Sequence, residues 1–343
     1  MTDDLYQLYL DIVRWFLDVV ILVLEGIGIE EGYLYGFFEW LNGDAALWLA
    51  GGLAAVLLIL WTLLAAELTM WVDRRVRGRV EGRRGPRHVG AWGTMQSVAD
   101  WLKLLLKKRP GVPSAAGAAL SWALVLGALA LLPLGPWLKL ADPEWGLIIA
   151  AGLLALAPVP MAAMAPAGRR HAQTAEATAS GAVLLLSIAS MLVVGGTSSG
   201  VDIVKVQTDW GWGIILAPLG FLLFMLVMFW ESMRISRVRS TSRVLEGWPG
   251  PHMAIGRSAV AARYLALGIL GSLLFLGGWS GPVADGALWT LTKAFILVIV
   301  ASMFAAAVPL ATPEGTARAV RNHWLPLASL NLVVVAAIME VMA

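Results

Sequence analysis

Basic side chains separated by glycines form the densest group in this sequence that could bind another molecule. The stretch over residues 83–108 reads RRGPRHVGAWGTMQSVADWLKLLLKK. A guanidinium group can hold a carboxylate through two parallel hydrogen bonds, and glycine lets another backbone approach closely. These residue types indicate ion pairing and close backbone contact. A basic helix attracted to anionic lipid is the competing interpretation.

Carboxylates inside apolar segments form a second group, and these could move protons. Glu67 and Glu176 lie within segments apolar enough to cross a bilayer, and an ionisable residue at that depth is a candidate for function. Glu67 lies about 9 Å along a helix from Asp73, at 1.5 Å per residue. Glu67 could instead pair with a basic residue of the following loop. Glu176 could instead pair with Arg169 or Arg170.

Thiol and metal chemistry are excluded by the residue types. Cysteine is absent, which rules out disulfides, thiolate nucleophiles and cysteine-held iron–sulfur or zinc sites. The four histidines lack the spacing of metal ligands; they are His88, His171, His252 and His323. We therefore predict no catalytic residue and no metal site. Any redox centre must belong to another chain or to a diffusible carrier.

The elements that position these groups are membrane helices. The chain is 59% hydrophobic and only 14% charged, whereas a soluble protein usually carries about 25% charged residues. Eight apolar segments reach about 20 residues, which spans a hydrocarbon core of about 30 Å. They are 47–72, 115–135, 144–165, 173–195, 211–233, 258–279, 286–309 and 322–342. The predicted fold is an all-α, polytopic membrane helix bundle with eight core helices.

The first 45 residues form an extension ahead of the main membrane domain, which covers residues 46–343. Residues 5–26 could be a ninth membrane helix or an interfacial one. Three charged residues interrupt this segment, at spacings that place them on one helical face; they are Asp11, Arg14 and Asp18. The start of the chain is acidic, unlike a cleavable secretory signal.

Lysine and arginine alternate from loop to loop, which predicts the orientation. The loops at 73–114, 166–172, 234–257 and 310–321 are basic, and the intervening loops are poor in basic residues. Basic loops remain on the cytoplasmic side of a membrane. We therefore predict a multi-pass protein of a bacterial or archaeal cytoplasmic membrane with these loops in the cytoplasm.

A surface helix is predicted over residues 93–108. Apolar residues recur there with a period of 3.6; they are Met95, Val98, Trp101, Leu102, Leu105 and Leu106. The helix is therefore amphipathic and lies at the cytoplasmic surface. The glycine–proline approach over residues 83–93 bends the chain sharply, which a simple lipid anchor would not need.

The motifs in this region resemble the H subunit of bacterial NADH–quinone oxidoreductase, in the respiratory complex I family that includes NADH dehydrogenase subunit 1. The matching residues, in order and at the family's spacing, are Asp73-Arg74-Arg75, Arg83-Arg84-Gly85-Pro86, Val89-Gly90, Gly93, Gln96, Ala99-Asp100, Lys103-Leu104 and Lys107. LFLGGWSGP (274–282), Lys293 and LPLASLN (325–331) match further along. The chain is also similar to membrane subunits of energy-converting hydrogenases.

The resemblance implies that this subunit joins a hydrophilic electron-transfer arm to a membrane arm. It implies a set of residues for arm docking and for the wall of a quinone chamber, namely Asp73, Arg74, Arg75, Arg84, Gly85, Pro86, Arg87, Gly90, Gln96, Asp100 and Lys103. The expected partners are other membrane subunits, including antiporter-like ones, the iron–sulfur and other hydrophilic arm subunits, and the lipid bilayer, but no nucleic acid. The chain itself would hold no cofactor.

Several carboxylates expected from the resemblance are missing. The family's acidic loop is replaced at 231–257 by arginines and serines, including Arg237, Arg239 and Arg243. A glutamate expected at position 178 is threonine, with Glu176 two residues early and hence about 200° away on the helix. Arg263-Tyr264 stands where the family has Glu-Tyr, and Ala305 stands where it has arginine. An alignment out of register over 231–257 is the alternative explanation.

Altered or absent quinone chemistry is the function we expect from these changes, with a chamber that is narrowed and more positive. Two alternatives stay open, a conventional quinone-site subunit and a membrane anchor that moves no ions. The candidates for a proton path are Glu67, Glu176, Glu231 and Lys293.

Overall fold

A computed structural model describes residues 4–26, 39–43, 46–107, 115–136, 138–165, 167–239, 250–282, 284–309 and 312–342. All of the regular secondary structure in these ranges is helical. This confirms the predicted all-α class. The predicted site residues lie within these ranges, but Arg243 lies outside them.

Fourteen helices of the described chain position the functional groups. In chain order they are α1 (Asp4–Gly26), α2 (Ala46–Val80), α3 (Gln96–Leu106), α4 (Ala115–Leu131), α5 (Gly146–Leu156), α6 (Val159–Ala163), α7 (Ala167–Gly195), α8 (Gly200–Trp210), α9 (Gly213–Leu216), α10 (Pro218–Arg239), α11 (Gly250–Phe275), α12 (Ala287–Ala307), α13 (Pro313–Ala319) and α14 (Leu325–Met342). A π-helical turn, Val320–Trp324, joins α13 to α14.

Seven helical segments of the described chain are long and apolar enough to span a membrane. They are Leu49–Val80, Gly146–Ala163, Gly168–Gly195, Pro218–Ser236, Gly250–Phe275, Ala287–Ala307 and Pro313–Val341. The eighth predicted segment, 115–135, is a shorter apolar helix. It ends at Leu131 because Pro133 follows, and proline has no N–H for a helical hydrogen bond. The polytopic membrane bundle is therefore confirmed.

Helix α11 forms the centre of the bundle. Every residue from Arg257 to Phe275 is buried, because α2, α3, α4, α10 and α12 all pack against it. Small residues permit this close packing, as is usual where membrane helices meet. At Gly268, for example, an added Cβ would lie only 3.0 Å from the carbonyl oxygen of Ala294. The polar residues of α11 are consequently held deep inside the protein.

The extension contains helix α1, which packs on the first turns of α2. Leu10 and Val13 contact Ala46 and Ala50, so leucine and valine meet small residues. Helix α1 is not among the seven candidate spans, because its charged residues interrupt the apolar sequence. The two predictions for it, spanning or interfacial, both stay predictions.

The predicted surface helix corresponds to α3, which begins at Gln96 after a single 3₁₀ turn over Ala91–Gly93. Its inner face packs against α2 and α11, and Ser97 is buried there. Its apolar stripe is only partly covered, since Leu106 remains 83% exposed. Helix α3 therefore closes the end of the bundle that carries the basic loops, which we call the basic end.

Candidate functional site

Asp73 is the centre of a buried network near the basic end. Its side chain is fully buried, and its two carboxylate oxygens accept hydrogen bonds from Arg77 Nε at 3.0 and 3.1 Å. The hydroxyls of Ser232 and Ser302 each donate to Asp73 Oδ1 at 2.9 Å. These residues come from α2, α10 and α12. The carboxylate thus joins three helices.

Further hydrogen bonds complete this network on its arginine side. Arg77 donates through Nη2 to the carbonyl of Ser232 at 2.9 Å and through Nη1 to the carbonyl of Ala305 at 3.2 Å. Tyr264 of α11 lies 3.1 Å from the Ser302 hydroxyl. A buried ion pair is stable only when its remaining donors and acceptors are satisfied. We call the five side chains Asp73, Arg77, Ser232, Tyr264 and Ser302 the Asp73 network.

A second buried cluster surrounds Glu231. Arg234, one turn further along α10, donates to Glu231 Oε2 at 3.0 Å, and Arg263 of α11 donates to the same oxygen. Arg263 also binds the carbonyl of Leu154 at 2.8 Å. All three charged side chains are buried. One carboxylate therefore serves two guanidinium groups.

A cavity of about 30 Å³ lies beside this cluster. Gln173 and Glu176 line it from α7, where a spacing of three residues places both on one face. Thr178 is exposed on the other side of the helix. Glu176 therefore points into the bundle, towards the cavity beside Glu231 and its arginines, whereas position 178, where the resemblance led us to expect the acid, faces outwards.

Glu67 belongs to a third cluster, where α2, α3 and α11 meet. Its side chain is 1% exposed and lies 3.3 Å from Arg257 Nη2. The same nitrogen is 3.4 Å from the carbonyl oxygen of Ser97. The sequence offered a basic residue of the following loop as a partner for Glu67, but in the structure the partner is Arg257 of α11.

Arg75 stabilises the loop that follows α2. It donates to the carbonyl of Trp92 at 2.6 Å and to that of Pro86 at 3.3 Å, and its guanidinium lies 5.5 Å from the ring centroid of Trp71. Gly93 adopts a φ of +76°, and an added Cβ would clash with the Pro86 backbone. The arginine and the glycine are both needed for the loop's own conformation.

A groove of about 580 Å³ lies between this loop and α3. Its lining residues are Arg74, Gly78, Glu81, Arg83, Arg84, Gly85, Pro86, His88, Val89, Gln96 and Lys103. We call it the basic groove. Asp100 supports its wall, because it accepts from Arg74 at 2.7 Å and from Gln96 at 3.2 Å. No group of three or more histidine, aspartate and glutamate side chains in the described part of the chain could hold a metal ion.

The predicted wall residues are only partly brought together. Six of them line the basic groove: Arg74, Arg84, Gly85, Pro86, Gln96 and Lys103. Asp73 does not, because the Asp73 network encloses it. Arg87 is exposed outside the lining, and Gly90 has a φ of +73° at the start of the 3₁₀ turn.

Trp92 is a surface residue that the sequence reasoning missed. It is 77% exposed and adopts a φ of +56°, which residues other than glycine rarely do. Its carbonyl is held by Arg75 and by the indole N–H of Trp71. The glycines on either side, Gly90 and Gly93, were the available signal, because both allow the left-handed turns that present the tryptophan.

Comparison with known proteins shows which family has this arrangement. A family model described as NADH dehydrogenase matches residues 53–336. The chain belongs to the NADH dehydrogenase family. One relative, the NADH-quinone oxidoreductase H subunit numbered 2 of Cereibacter sphaeroides, is 31% identical over 303 residues, covering 83% of this chain and 95% of the relative. The H subunit of Dehalococcoides mccartyi is 26% identical, covering 82% of this chain and 84% of the relative.

Membership of the NADH dehydrogenase family confirms the resemblance seen in the motifs. Ala305, where the resemblance led us to expect arginine, gives its carbonyl to the Arg77 guanidinium. Arg263, in place of an expected glutamate, is buried against Glu231. The change that we predict over 231–257 stays a prediction, and its residues 240–249 lie outside the described residues.

Lys293 holds the end of the bundle opposite the basic end. It donates to the carbonyls of Gly278 and Ser280 at 2.8 and 2.7 Å. Gln207, which the sequence reasoning missed, binds the same strip, because its side-chain oxygen accepts from the N–H groups of Gly277 and Gly213 at 2.9 and 3.0 Å. These contacts fix the 276–282 strip; a place for Lys293 in a proton path stays a prediction.

Proposed function

We propose that this chain is a membrane subunit of a complex-I-like, ion-translocating redox assembly, and that its basic end docks the hydrophilic electron-transfer arm to the membrane arm. Its loops at that end would face the cytoplasm. Family membership supports the general role, since the relatives are named as subunits of NADH-quinone oxidoreductase. The docking role is supported by the surface loop between α2 and α3.

The observation that carries docking is the contrast between Arg75, near the end of α2, and the arginines of the loop that follows. Arg75 donates its hydrogen bonds to backbone carbonyls of the protein itself. Arg84 and Arg87, in contrast, are exposed and have no ion-pair partner among the described residues. Trp92, fixed in a strained conformation, belongs to the same loop and has 77% of its surface exposed. Tryptophan and arginine are the residues most enriched at the centres of interfaces, so a partner with carboxylates fits this surface.

Docking is tested by purifying the complex through a tag on this chain. Replacing Arg84 by alanine should weaken retention of the hydrophilic subunits by about 2–5 kcal/mol if its partner is desolvated, and the loss should grow with salt. Lys205→Ala is the matched control, because Lys205 is exposed on α8 at the other end of the bundle. Equal retention by the two variants in high salt would contradict the proposal.

Altered or absent quinone chemistry is the second part of the proposal. The basic groove is lined mainly by charged and polar side chains, whereas small-molecule sites are mostly apolar. Asp73 and Glu67 are engaged in buried clusters, which leaves fewer acids free to act on a headgroup. Protons, if the assembly moves them, would use Glu67, Glu176, Glu231 or Lys293.

Turnover of the purified assembly with short-chain quinones tests this part. We expect little quinone-dependent turnover and no ordered quinone beside the basic groove. Quinone-dependent turnover lost in Asp73→Asn, with the assembly intact, would contradict it. That result would favour the second candidate, a conventional quinone-site subunit, which the relatives' printed names and the kept motif over 73–109 support. Turnover without ion flux in vesicles would instead favour a membrane anchor.

A further inference from the structure

Four buried polar atoms beside the Glu231 cluster lack a hydrogen-bond partner among the described residues. They are Ser121 Oγ, Gln173 Oε1, Glu231 Oε1 and Arg263 Nη2, and all four residues line the same cavity of about 30 Å³. A buried polar group without a partner is costly. A water molecule needs at least about 10–15 Å³ of such space, so the cavity has room for one or two.

The hydrogen-bonding capacities of these four atoms indicate which molecule occupies the cavity. Gln173 Oε1 and Glu231 Oε1 can only accept hydrogen bonds, Arg263 Nη2 can only donate, and the Ser121 hydroxyl can do both. Water donates two hydrogen bonds and accepts two, so a single molecule could satisfy all four. An anion could not donate to the two acceptors, and a cation such as ammonium could not accept from the arginine.

The charges around the cavity favour the carboxylate form of Glu231 over the carboxylic acid. Arg234 and Arg263 both donate to its Oε2, and all three side chains are buried. Glu176 lines the same cavity and provides a second negative charge, so the described lining residues include two guanidinium groups and two carboxylates. A proton added to Glu231 would leave two buried guanidinium groups with one carboxylate fewer, and an uncompensated buried charge is strongly unfavourable.

We infer that the cavity holds one or two resident water molecules, and that these waters with Arg234 and Arg263 keep Glu231 ionised as a counter-ion that exchanges no proton during turnover. Glu231 is thereby a positioning residue that joins α10 to α11, and it drops out of the candidate proton path. The inference goes beyond the proposed function. It holds whether or not the assembly reduces quinone, because it concerns one charge state and one hydration site.

Paired charge removal tests the role of Glu231. Glu231→Gln should leave both arginines without a full counter-charge and lose most of the assembled complex. The double change Glu231→Gln with Arg263→Gln removes one charge of each sign and should recover most of the assembly and of its ion flux. A proton carrier would behave in the opposite way: Glu231→Gln would assemble normally but abolish ion flux, and the double variant would not recover it. That pattern would overturn the inference.

Two further readouts complete the test. Glu340→Gln is the matched control, because Glu340 is an exposed glutamate on α14, and it should assemble like the wild type. A density map of the complex that resolves waters should show one or two between Ser121, Gln173, Glu231 and Arg263; an empty cavity would overturn the hydration part. Failure of arm docking would be distinguishable, since it removes hydrophilic subunits and leaves both the Glu231 phenotype and the water density unchanged.

Discussion

Arginines in the interior of the bundle and arginines on the loop after α2 behave in opposite ways. Arg77, Arg257 and Arg263 each meet a carboxylate inside the protein, and two of these pairs join different helices. Arg84 and Arg87 are exposed and have no such partner in the part of the chain that the structure describes. The interior pairs therefore hold the bundle together, while the surface arginines remain available to a partner.

The comparison also shows why the surface loop has a defined shape. Arg75 and the indole N–H of Trp71 link the loop to α2 through the carbonyls of Pro86 and Trp92, and Gly93 permits the close approach to Pro86. The backbone of the loop is thus anchored where it contacts the bundle, while the side chains of Trp92, Arg84 and Arg87 are exposed to solvent. Because the loop backbone is already ordered before binding, less conformational entropy is lost when a partner binds to the exposed side chains.

The largest effect is expected in the interior. Arg77→Met would remove the guanidinium that donates to both oxygens of the buried Asp73 carboxylate, and breaking such a buried ion pair typically costs about 3–5 kcal/mol. We expect the chain to be lost from the membrane fraction or to unfold at a much lower temperature in detergent. The double change Asp73→Asn with Arg77→Met removes both charges and should recover most of the stability. If the single variant is as stable as the double one, the Asp73 network does not hold the helices.

Gly93→Ala tests whether the packing of Gly93 against Pro86 maintains the conformation of the loop. The new Cβ would clash with the Pro86 backbone, and the φ of +76° is itself unfavourable for alanine. Gly82→Ala is the matched control, since Gly82 has a φ of +66° but nothing within 4 Å of its Cβ position. We expect Gly82→Ala to destabilise the loop conformation by about 1–2 kcal/mol and Gly93→Ala to destabilise it by clearly more. Limited proteolysis within 83–95 measures the difference, and equal cleavage would contradict the packing explanation.

A smaller effect is expected where α2, α3 and α11 meet. Glu67→Gln keeps the shape but removes the charge opposite Arg257, and the loss of one partner in a buried hydrogen bond costs about 1–3 kcal/mol. We expect faster hydrogen exchange in α3, because Arg257 also contacts the carbonyl of Ser97. Thr178→Val, on the exposed face of α7, should leave this exchange unchanged. Unchanged exchange in Glu67→Gln would show that the pair does not seat α3.

The smallest effect on stability is expected at the surface. Arg87→Ala should change the free energy of unfolding by less than about 0.5 kcal/mol, as is usual for an exposed side chain. Its effect should appear only when the hydrophilic subunits are present, as weaker retention that depends on salt. Thermal unfolding of the isolated chain and retention in the complex separate the two readouts. A large drop in the stability of the isolated chain would contradict the conclusion that surface arginines, unlike the interior ones, do not stabilise the bundle.

The sequence by itself determined the fold class, the helical segments and the family. Apolar runs of about 20 residues leave a chain little choice but membrane helices, and the motif over 73–109 keeps the family's spacing. The spacing of three residues also places Gln173 and Glu176 on one face of α7. These conclusions depend on neighbours along the chain, which a sequence displays directly.

Only the tertiary structure decided which charges meet. Asp73 stands beside three arginines in the sequence, at positions 74, 75 and 77, yet only Arg77 binds it, while the other two turn to Asp100 and to the loop carbonyls. Glu67 acquires Arg257 from a helix whose first residue is Gly250. Such pairs depend on how helices cross, and helix crossing is set by the packing of whole faces, so periodicity identifies a face without identifying the residue opposite it.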